Sequence, residues 1–364
     1  MKILIAGNLA NLGFELTYAL RKKGIDSFLL MPLNPKESED PKLLYPDLKE
    51  KGYPDWIRWF NKKNKRFTRN NWKLQIIKEM RKKNYDIIIA LTEFPIFALF
   101  SWKPFIVVST GSDIRELSLE FSLKGFLYRR ALKKAKAVLW SEPDKRDILK
   151  KLDLIKKSIF LGIPRLSKFH PEIIQKDELK EKLIIFHPSR QDWFHKGNDK
   201  FLMAFKKLCE KRNDLYLILV KNGPDYKKAL DLLSKIEKKG TFRFIPQASF
   251  EELQYFYNLA DVIVDQFKVG SYGMISIEAM MCGKPIIVGL NEKLFQEENI
   301  KIPKGMINAN SEIEIFEGLE MLAEQRQKVK EFGELNLEFM KKYRDPDMMT
   351  NQYIELILKI LKDK

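Results

Sequence analysis

The chain has 364 residues, 45% apolar and 12% aromatic, with 66 Lys+Arg against 49 Asp+Glu and a formal net charge of +17. That length predicts two domains, and the apolar and aromatic content excludes a disordered chain. Two cysteines, Cys209 and Cys282, with no CxxC or His/Cys cluster exclude a disulfide scaffold and a zinc site, and fit a reduced, cytosolic protein.

In chain order, Lys2–Ala6 is an apolar run ending in Gly7, without the basic region or cleavage site of a leader, and reads as a first strand. A loop, Gly7 to Gly13, leads into an amphipathic helix over Phe14–Lys23, and Ser27–Met31 is the next strand. Asp86 to Val108 is the most apolar long stretch. A membrane span needs about 20 unbroken apolar residues. Glu93, Pro95, Lys103 and Pro104 interrupt this one, so it reads as two buried strands, Tyr85–Ala90 and Phe105–Val108, flanking a short helix. Ala137–Trp140 and Ser158–Leu161 complete the first half. The pattern restarts with strands at Leu183–Phe186, Leu215–Val220, Thr241–Ile245, Val262–Val264 and Pro285–Val288. Helices at Lys200–Arg212, Tyr226–Lys238, Phe250–Asn258 and Ile275–Cys282 alternate with them, and a last amphipathic helix follows Pro346.

Such alternation specifies βαβ units. The expected architecture is α/β: two Rossmann-like, doubly wound parallel-sheet domains facing a cleft. The boundary falls near Gly162-Ile-Pro164, giving domains over 1–163 and 164–345, with the helix 346–364 returning to the first domain. Ligands of such sheets bind at the carboxyl ends of the strands.

The charge is uneven. Residues 1–163 hold 33 basic and 18 acidic residues, leaving 33 and 31 for the rest. Trp56 to Lys83 carries eleven basic residues and a single acid, Glu79, interleaved with Trp59, Phe60, Phe67 and Trp72; Phe121 to Ala137 has six basic residues and no acid. Three readings compete: a solvated helix face, an anionic membrane surface, and nucleic acid. No nucleic-acid motif accompanies the charge, so no nucleic-acid partner is expected.

The densest chemistry lies in Asp265-Gln-Phe-Lys-Val-Gly-Ser-Tyr-Gly-Met274, running on to Glu278. A strand, a glycine-containing loop and a helix start present free N–H groups and a helix dipole to an anion. Gly270 and Gly273 let the backbone approach, and Glu278, a turn into the helix, suits ribose hydroxyls. His187-Pro-Ser-Arg190 with Lys196-Gly197 adds two cations, the makings of a pyrophosphate clamp.

This segment, ending Glu278-Ala-Met-Met-Cys-Gly-Lys-Pro285, resembles the donor-binding signature of the family 4-like, GT-B glycosyltransferases (glycosyl transferases group 1). Leu219-Val-Lys-Asn-Gly-Pro224, Phe244-Ile-Pro246-Gln247 and the Tyr257 to Asp261 segment are similar to further family pieces in order, and Ser109-Thr-Gly111-Ser112-Asp113 is similar to its His-Gly-x-Asp segment. Asn8 to Gly13 stands where the family has its glycine-rich first loop. The resemblance implies a retaining transferase using a nucleotide-diphosphate sugar, UDP- or GDP-linked, with no metal and no other cofactor. Arg190 and Lys196 would hold the diphosphate, Ser271, Tyr272, Gly273 and Met274 would offer N–H groups, Glu278 the ribose contact, and Pro246 and Gln247 the base contact. Asp113 and Glu93 are the catalytic candidates, and Asn8, Gly13, Gly111 and Ser112 line the acceptor side. The acceptor expected from the charge is lipid-linked or a cell-envelope glycan, reached from the inner face of a membrane.

Three positions depart from the family pattern. Gly270, eight before Glu278, stands where the first of two glutamates is usual, Thr110 where a His is, and Gly13 where a glycine pair is. Asp265 or Gln266 could stand in for the first glutamate. The alternatives are an inactive protein of this fold that binds polyanions or nucleic acid, or a transferase acting on a soluble acceptor. Asp345-Pro-Asp347 is a literal DxD, but its place before the last helix predicts a cap instead of a metal site.

Overall fold

The computed structural model describes residues 1–36, 39–62, 71–166, 169–237 and 240–363. The chain forms two compact units: Met1–Ser141, Lys145–Ser167 and Arg344–Lys364 make one, Glu142–Asp144 and Lys168–Tyr343 the other.

The first unit holds a seven-stranded parallel sheet: β1 (Lys2–Ala6), β2 (Asp26–Pro32), β3 (Ile57–Phe60), β4 (Ile87–Leu91), β5 (Phe105–Val108), β6 (Ala137–Trp140) and β7 (Ser158–Phe160), in the order β3-β2-β1-β4-β5-β6-β7. Helices cover both faces, so the central strands are continuous apolar runs. All five residues of β4 are buried, the three isoleucines and Leu91 each contributing about 1.5–3 kcal/mol. One face packs on the first helix, Leu12–Lys22, through Phe14, Leu16 and Leu20; the last helix, Pro346–Lys362, adds Met349, Tyr353, Ile357 and Ile360 to the same core. The other face packs on Trp72–Met80, Pro95–Ala98 and Leu123–Lys134. Asp345 Oδ1 accepts from the Met348 N–H at 2.7 Å and caps the last helix, while Asp347 pairs with Lys23, so this DxD does structural work.

The second unit holds a six-stranded parallel sheet: β8 (Leu183–His187), β9 (Leu215–Val220), β10 (Phe242–Ile245), β11 (Val262–Val264), β12 (Ile286–Val288) and β13 (Met306–Asn308), ordered β10-β9-β8-β11-β12-β13. In each sheet the strand order reverses once, between β1 and β4 and between β8 and β11. Those are the two switch points at which ligands of such sheets bind.

The basic, aromatic stretch from Trp56 divides. Trp56 and Phe60 are buried in the core and Trp72 packs against it, so these rings are structural and do not form a membrane-facing stripe. Residues 63–70, with Phe67 and four of the basic residues, lie outside the described residues. The second stretch is different: Phe121, Leu123 and Phe126 are exposed on or beside the Leu123–Lys134 helix. No helix among the described residues is long and apolar enough to cross a membrane.

Candidate active site

At the second switch point, two loops are laced together. The loop after β8 runs from Pro188 to Gly197 into the helix Asp199–Lys211; the loop after β11 runs from Asp265 to Gly273 into the helix Met274–Met281. His187, at the end of β8, is fully buried and joins both. Its Nδ1 faces the Val264 carbonyl at 2.9 Å and its Nε2 faces the Asn198 amide at 3.0 Å. The first contact requires a proton on Nδ1 and the second leaves Nε2 as acceptor, so the ring is neutral. Burial pushes its pKa down to about 4, against a small upward pull from the Val264 hydrogen bond. Asn198 also donates to the Arg190 carbonyl, fixing the loop that carries the cation.

This ring predicts a pH dependence. The folded-state pKa lies below the usual 6.5, so between about 6.5 and 4 the unfolded chain binds a proton that the folded chain refuses. Stability is therefore full above pH 6.5 and falls with pH, by about 3 kcal/mol in all. Urea titrations at intervals from pH 7 to 4.5 should show this slope, and His187→Gln should flatten it.

Arg190 is exposed and pairs with Asp192 at 2.9 Å. Asp192 is buried and also accepts from the His195 backbone N–H and from its Nδ1, both at 3.0 Å. Burial opposes its ionisation, but the His195 hydrogen bonds and the Arg190 charge prevail and hold its pKa below the usual value. Lys196, half-buried, places its ammonium 2.5 Å from the neutral Oε1 of Gln266, and its carbonyl accepts from the Phe267 N–H. Gln266 in turn donates to the Ser271 carbonyl at 2.7 Å. The next loop is tied in as well: the Gln191 N–H donates to Asn222, and the Asp225 N–H donates to Gln191.

Asp265 is buried and organises the start of the Met274 helix, accepting from the Gly273 N–H at 3.2 Å and the Ser276 hydroxyl at 2.7 Å. The Gly273 N–H is thus already engaged inside the protein, which narrows the amides on offer to an anion. Ser271 and Tyr272 have buried side chains, Tyr272 stacking on Phe295. Glu278, half-buried, accepts from the Tyr257 hydroxyl at 2.9 Å. Tyr257 is buried, and desolvation together with the Glu278 charge raises its pKa well above the usual value, so it remains a donor that aims the carboxylate. Pro246 and Gln247, after β10, are exposed.

At the first switch point, a cavity of about 380 Å³ opens over the ends of β1, β4 and β5, lined in part by Asn8, Glu93, Thr110, Ser112, Asp113 and Lys124. Two of its loops hold uncommon backbone. Ala10 and Asn11 have φ of 49° and 61°, and Thr92, a β-branched residue, has 52°. Strain of this kind costs about 1–3 kcal/mol per residue and gathers at functional sites. Asn8 accepts from the Phe14 N–H at 2.7 Å and so caps the first helix. A Cβ at Gly13 would lie 2.0 Å from the Gly7 carbonyl, so only glycine lets the helix start so close to the strand end. Glu93 pairs with Lys124 at 2.8 Å.

The Asp113 carboxylate accepts from the Ser109 hydroxyl, from the Thr110, Gly111 and Ile114 N–H groups, and from the Tyr128 hydroxyl at 3.2 Å. These bonds fix the turn at Gly111 and Ser112 that borders the cavity.

The glycosyl transferases group 1 family model matches residues 169–335, the stretch containing both laced loops. The chain is 30% identical over 167 residues to the O-antigen chain mannosyltransferase RfbU of Salmonella typhimurium; the match covers 45% of this chain and 44% of that protein, so less than half the relative's length. Among solved structures, Anabaena Alr3699/HepE in complex with UDP and glucose superposes with a TM-score of 0.74 at 13% identity, over 99% of this chain and 100% of that one. Sucrose-phosphate synthase from Thermosynechococcus elongatus superposes with a TM-score of 0.72 at 14% identity, covering all of both chains. At such identities the likeness concerns the fold, which is GT-B.

Glycine stands at 270 where the resemblance implies a glutamate, and the structure explains why a glutamate does not sit there easily. Gly270 has φ of 74°, its carbonyl accepts from the Asn291 N–H, and a Cβ would come within 3.1 Å of Asn291. Neither Asp265 nor Gln266 takes over as a projecting side chain, since both are buried and committed to the loop. Asp192 and Asn198 are supporting residues that sequence reasoning missed; Gln266 and Tyr257 were named there, but not as the anchor of Lys196 and the donor to Glu278. Their signal was adjacency to the cations and to Glu278.

Proposed function

We propose that the chain is a retaining, metal-independent glycosyltransferase. It moves a sugar from a nucleotide-diphosphate sugar, UDP- or GDP-linked, to a lipid-linked or cell-envelope glycan acceptor at a membrane surface. One observation carries this reading: Arg190 and Lys196 stand on a loop laced to the glycine-containing turn that opens the Met274 helix. As the sugar–phosphate bond breaks, negative charge grows on the departing diphosphate. Two fixed cations and a helix N-terminus favour that charge more in the transition state than before it. Glu278, aimed by Tyr257, would hold the ribose hydroxyls, and Pro246 and Gln247 would meet the base. The second unit would thus bind donor. The first would bind acceptor in the cavity beside Glu93, whose pairing with Lys124 keeps a carboxylate at that mouth. UDP in the Alr3699/HepE complex supports a nucleotide donor, and the O-antigen activity of RfbU supports a glycan acceptor.

The test is thermal unfolding of the whole chain with UDP, GDP, ADP, CMP and their sugar conjugates, with and without Mg²⁺. A ligand at 100 times its Kd stabilises by about 2.7 kcal/mol. One nucleotide diphosphate should raise the unfolding temperature without regard to Mg²⁺, and Arg190→Ala and Glu278→Ala should each abolish the rise. Gly270 favours a second reading, an inactive polyanion-binding protein. That reading gains if no nucleotide shifts the transition while binding to heparin falls steeply with salt.

A further inference from the structure

The loop that carries Arg190 and Lys196 holds a third nitrogen base. His195 directly precedes Lys196, and its ring is 54% exposed. Asp192 fixes it: the carboxylate accepts from the His195 backbone N–H and from Nδ1, both at 3.0 Å. The Oδ2 that lies 3.0 Å from Nδ1 also lies 2.9 Å from Nη2 of Arg190. The guanidinium and the imidazole therefore stand side by side on one buried carboxylate. Among the described residues nothing bonds to the other ring nitrogen, Nε2. The exposed ring of Phe194 meets the imidazole edge-on at 4.9 Å, and Lys268, from the loop after β11, lies 4.7 Å over Phe194.

The carboxylate decides what Nε2 can do. Asp192 is ionised, its pKa held below the usual value against the cost of burial, and an ionised carboxylate only accepts. Nδ1 must therefore carry a proton. A neutral ring then has its single proton on Nδ1 and turns a lone pair outward at Nε2, which repels an anion. The imidazolium turns an N–H outward instead. One proton thus converts Nε2 from an acceptor to a charged donor. The charged groups around the ring are Asp192 and Arg190 on its own loop, Lys196 beside it, Lys268 across the Phe194 ring, and Asp225 from the loop after β9. Asp225 accepts from the Trp193 N–H at 2.9 Å and pairs with Lys228. An anion seated among these cations favours a further positive charge beside it.

We propose that His195 is a proton-switched contact to the donor diphosphate: Nε2–H of the imidazolium donates to a phosphate oxygen beside Arg190, and donor binding takes up one proton. The inference rests on the transferase reading and adds a residue to its donor site. The proton stays on the ring, so the contact is a charge-assisted hydrogen bond and no covalent bond changes. Asp192 is the positioning residue, since it holds the ring beside the guanidinium and dictates which nitrogen the proton switches. A clamp that did not use His195 would bind the donor equally well at pH 6 and pH 8.

The experiment measures, by calorimetry on the full chain, the affinity for UDP-glucose and for GDP-mannose at pH 8, 7 and 6. The diphosphate of such a sugar ester does not titrate in this range, so a pH dependence belongs to the protein. Affinity should rise by about tenfold from pH 8 to pH 6, the worth of one charge-assisted hydrogen bond. His195→Gln puts a neutral donor at the same place, and its affinity should change by less than about twofold over that range. The chain has three histidines, so ring NMR follows each of them. Linkage is reciprocal, so the added nucleotide sugar should raise the titration midpoint of His195 by about one pH unit, while His170, paired with Glu172, should not move. An affinity flat across pH overturns the inference. So does an equal rise in His195→Gln, or a His195 titration that ignores the ligand. If a nucleotide sugar binds and these results fail, His195 is wrong and the transferase stands. If neither binds, the transferase reading has failed first, and the inference with it.

Discussion

Lys196→Ala is expected to lower the rate of sugar transfer by about 10²–10³-fold, the usual effect of removing one preorganised group aimed at developing charge. The reason lies in its surroundings. Arg190 is exposed and shares its charge with Asp192, whereas Lys196 is half-buried and held by a neutral amide, Gln266. A cation held by a neutral partner on a partly dry loop interacts more strongly with a new negative charge. The loss should fall mainly on kcat, because the diphosphate carries more charge when leaving than when bound as the sugar ester. Lys196→Arg should not restore the rate, since a planar fork does not occupy the place of a compact ammonium. Steady-state kinetics with the donor identified by thermal shift reads both parameters. A rise in KM with kcat unchanged would assign Lys196 to ground-state binding alone. Gln266→Leu should cost less, as it removes the anchor and leaves the charge.

The second large effect is on stability. Glu15, in the first turn of the first helix, is fully buried and pairs with buried Arg165 at 2.7 Å, with the Tyr45 hydroxyl 3.4 Å from its other oxygen. Burial, and then the Glu15 charge, push the Tyr45 pKa well above the usual value, so that hydroxyl remains a donor. Arg165→Met is expected to destabilise the first unit by about 3–5 kcal/mol, because the carboxylate loses its countercharge without leaving the interior. Glu15→Leu combined with Arg165→Met should recover most of that loss, since the pair itself contributes little beyond offsetting two desolvated ions. Urea unfolding of the wild type, the single and the double variant makes the comparison. A double variant as unstable as the single would mean that the cost lies in packing and not in the stranded charge.

Strands buried on both faces were legible in the sequence because nothing but apolar residues fits them: Ile87–Leu91 and Leu215–Val220 could hardly be read otherwise. The edges were not. β3, Ile57-Arg-Trp-Phe60, has an arginine and an exposed tryptophan in four residues, since an edge strand meets the sheet on one side only. β13, Met306–Asn308, is three residues long and carries too little pattern. In the candidate site, Arg190, Lys196 and Glu278 were legible through charge, spacing and the family resemblance. The five donors that converge on Asp113 were not, because they meet only after the turn at Gly111 has formed. Asp192 was missed, and Gln266 was named without its bond to Lys196, because their work is done on neighbours that the fold brings to them.

The return of the last helix to the first unit has a consequence for how the protein is made. The core facing Phe14 and Leu20 is completed by Met349, Tyr353, Ile357 and Ile360. On the ribosome, the first half emerges well before the last helix and yet cannot close that face until that helix has been made. The second unit, nearly continuous in sequence, has all its strands available sooner. The unit translated first is therefore finished last, with apolar surface open throughout, which is the situation in which aggregation and chaperone capture compete with folding.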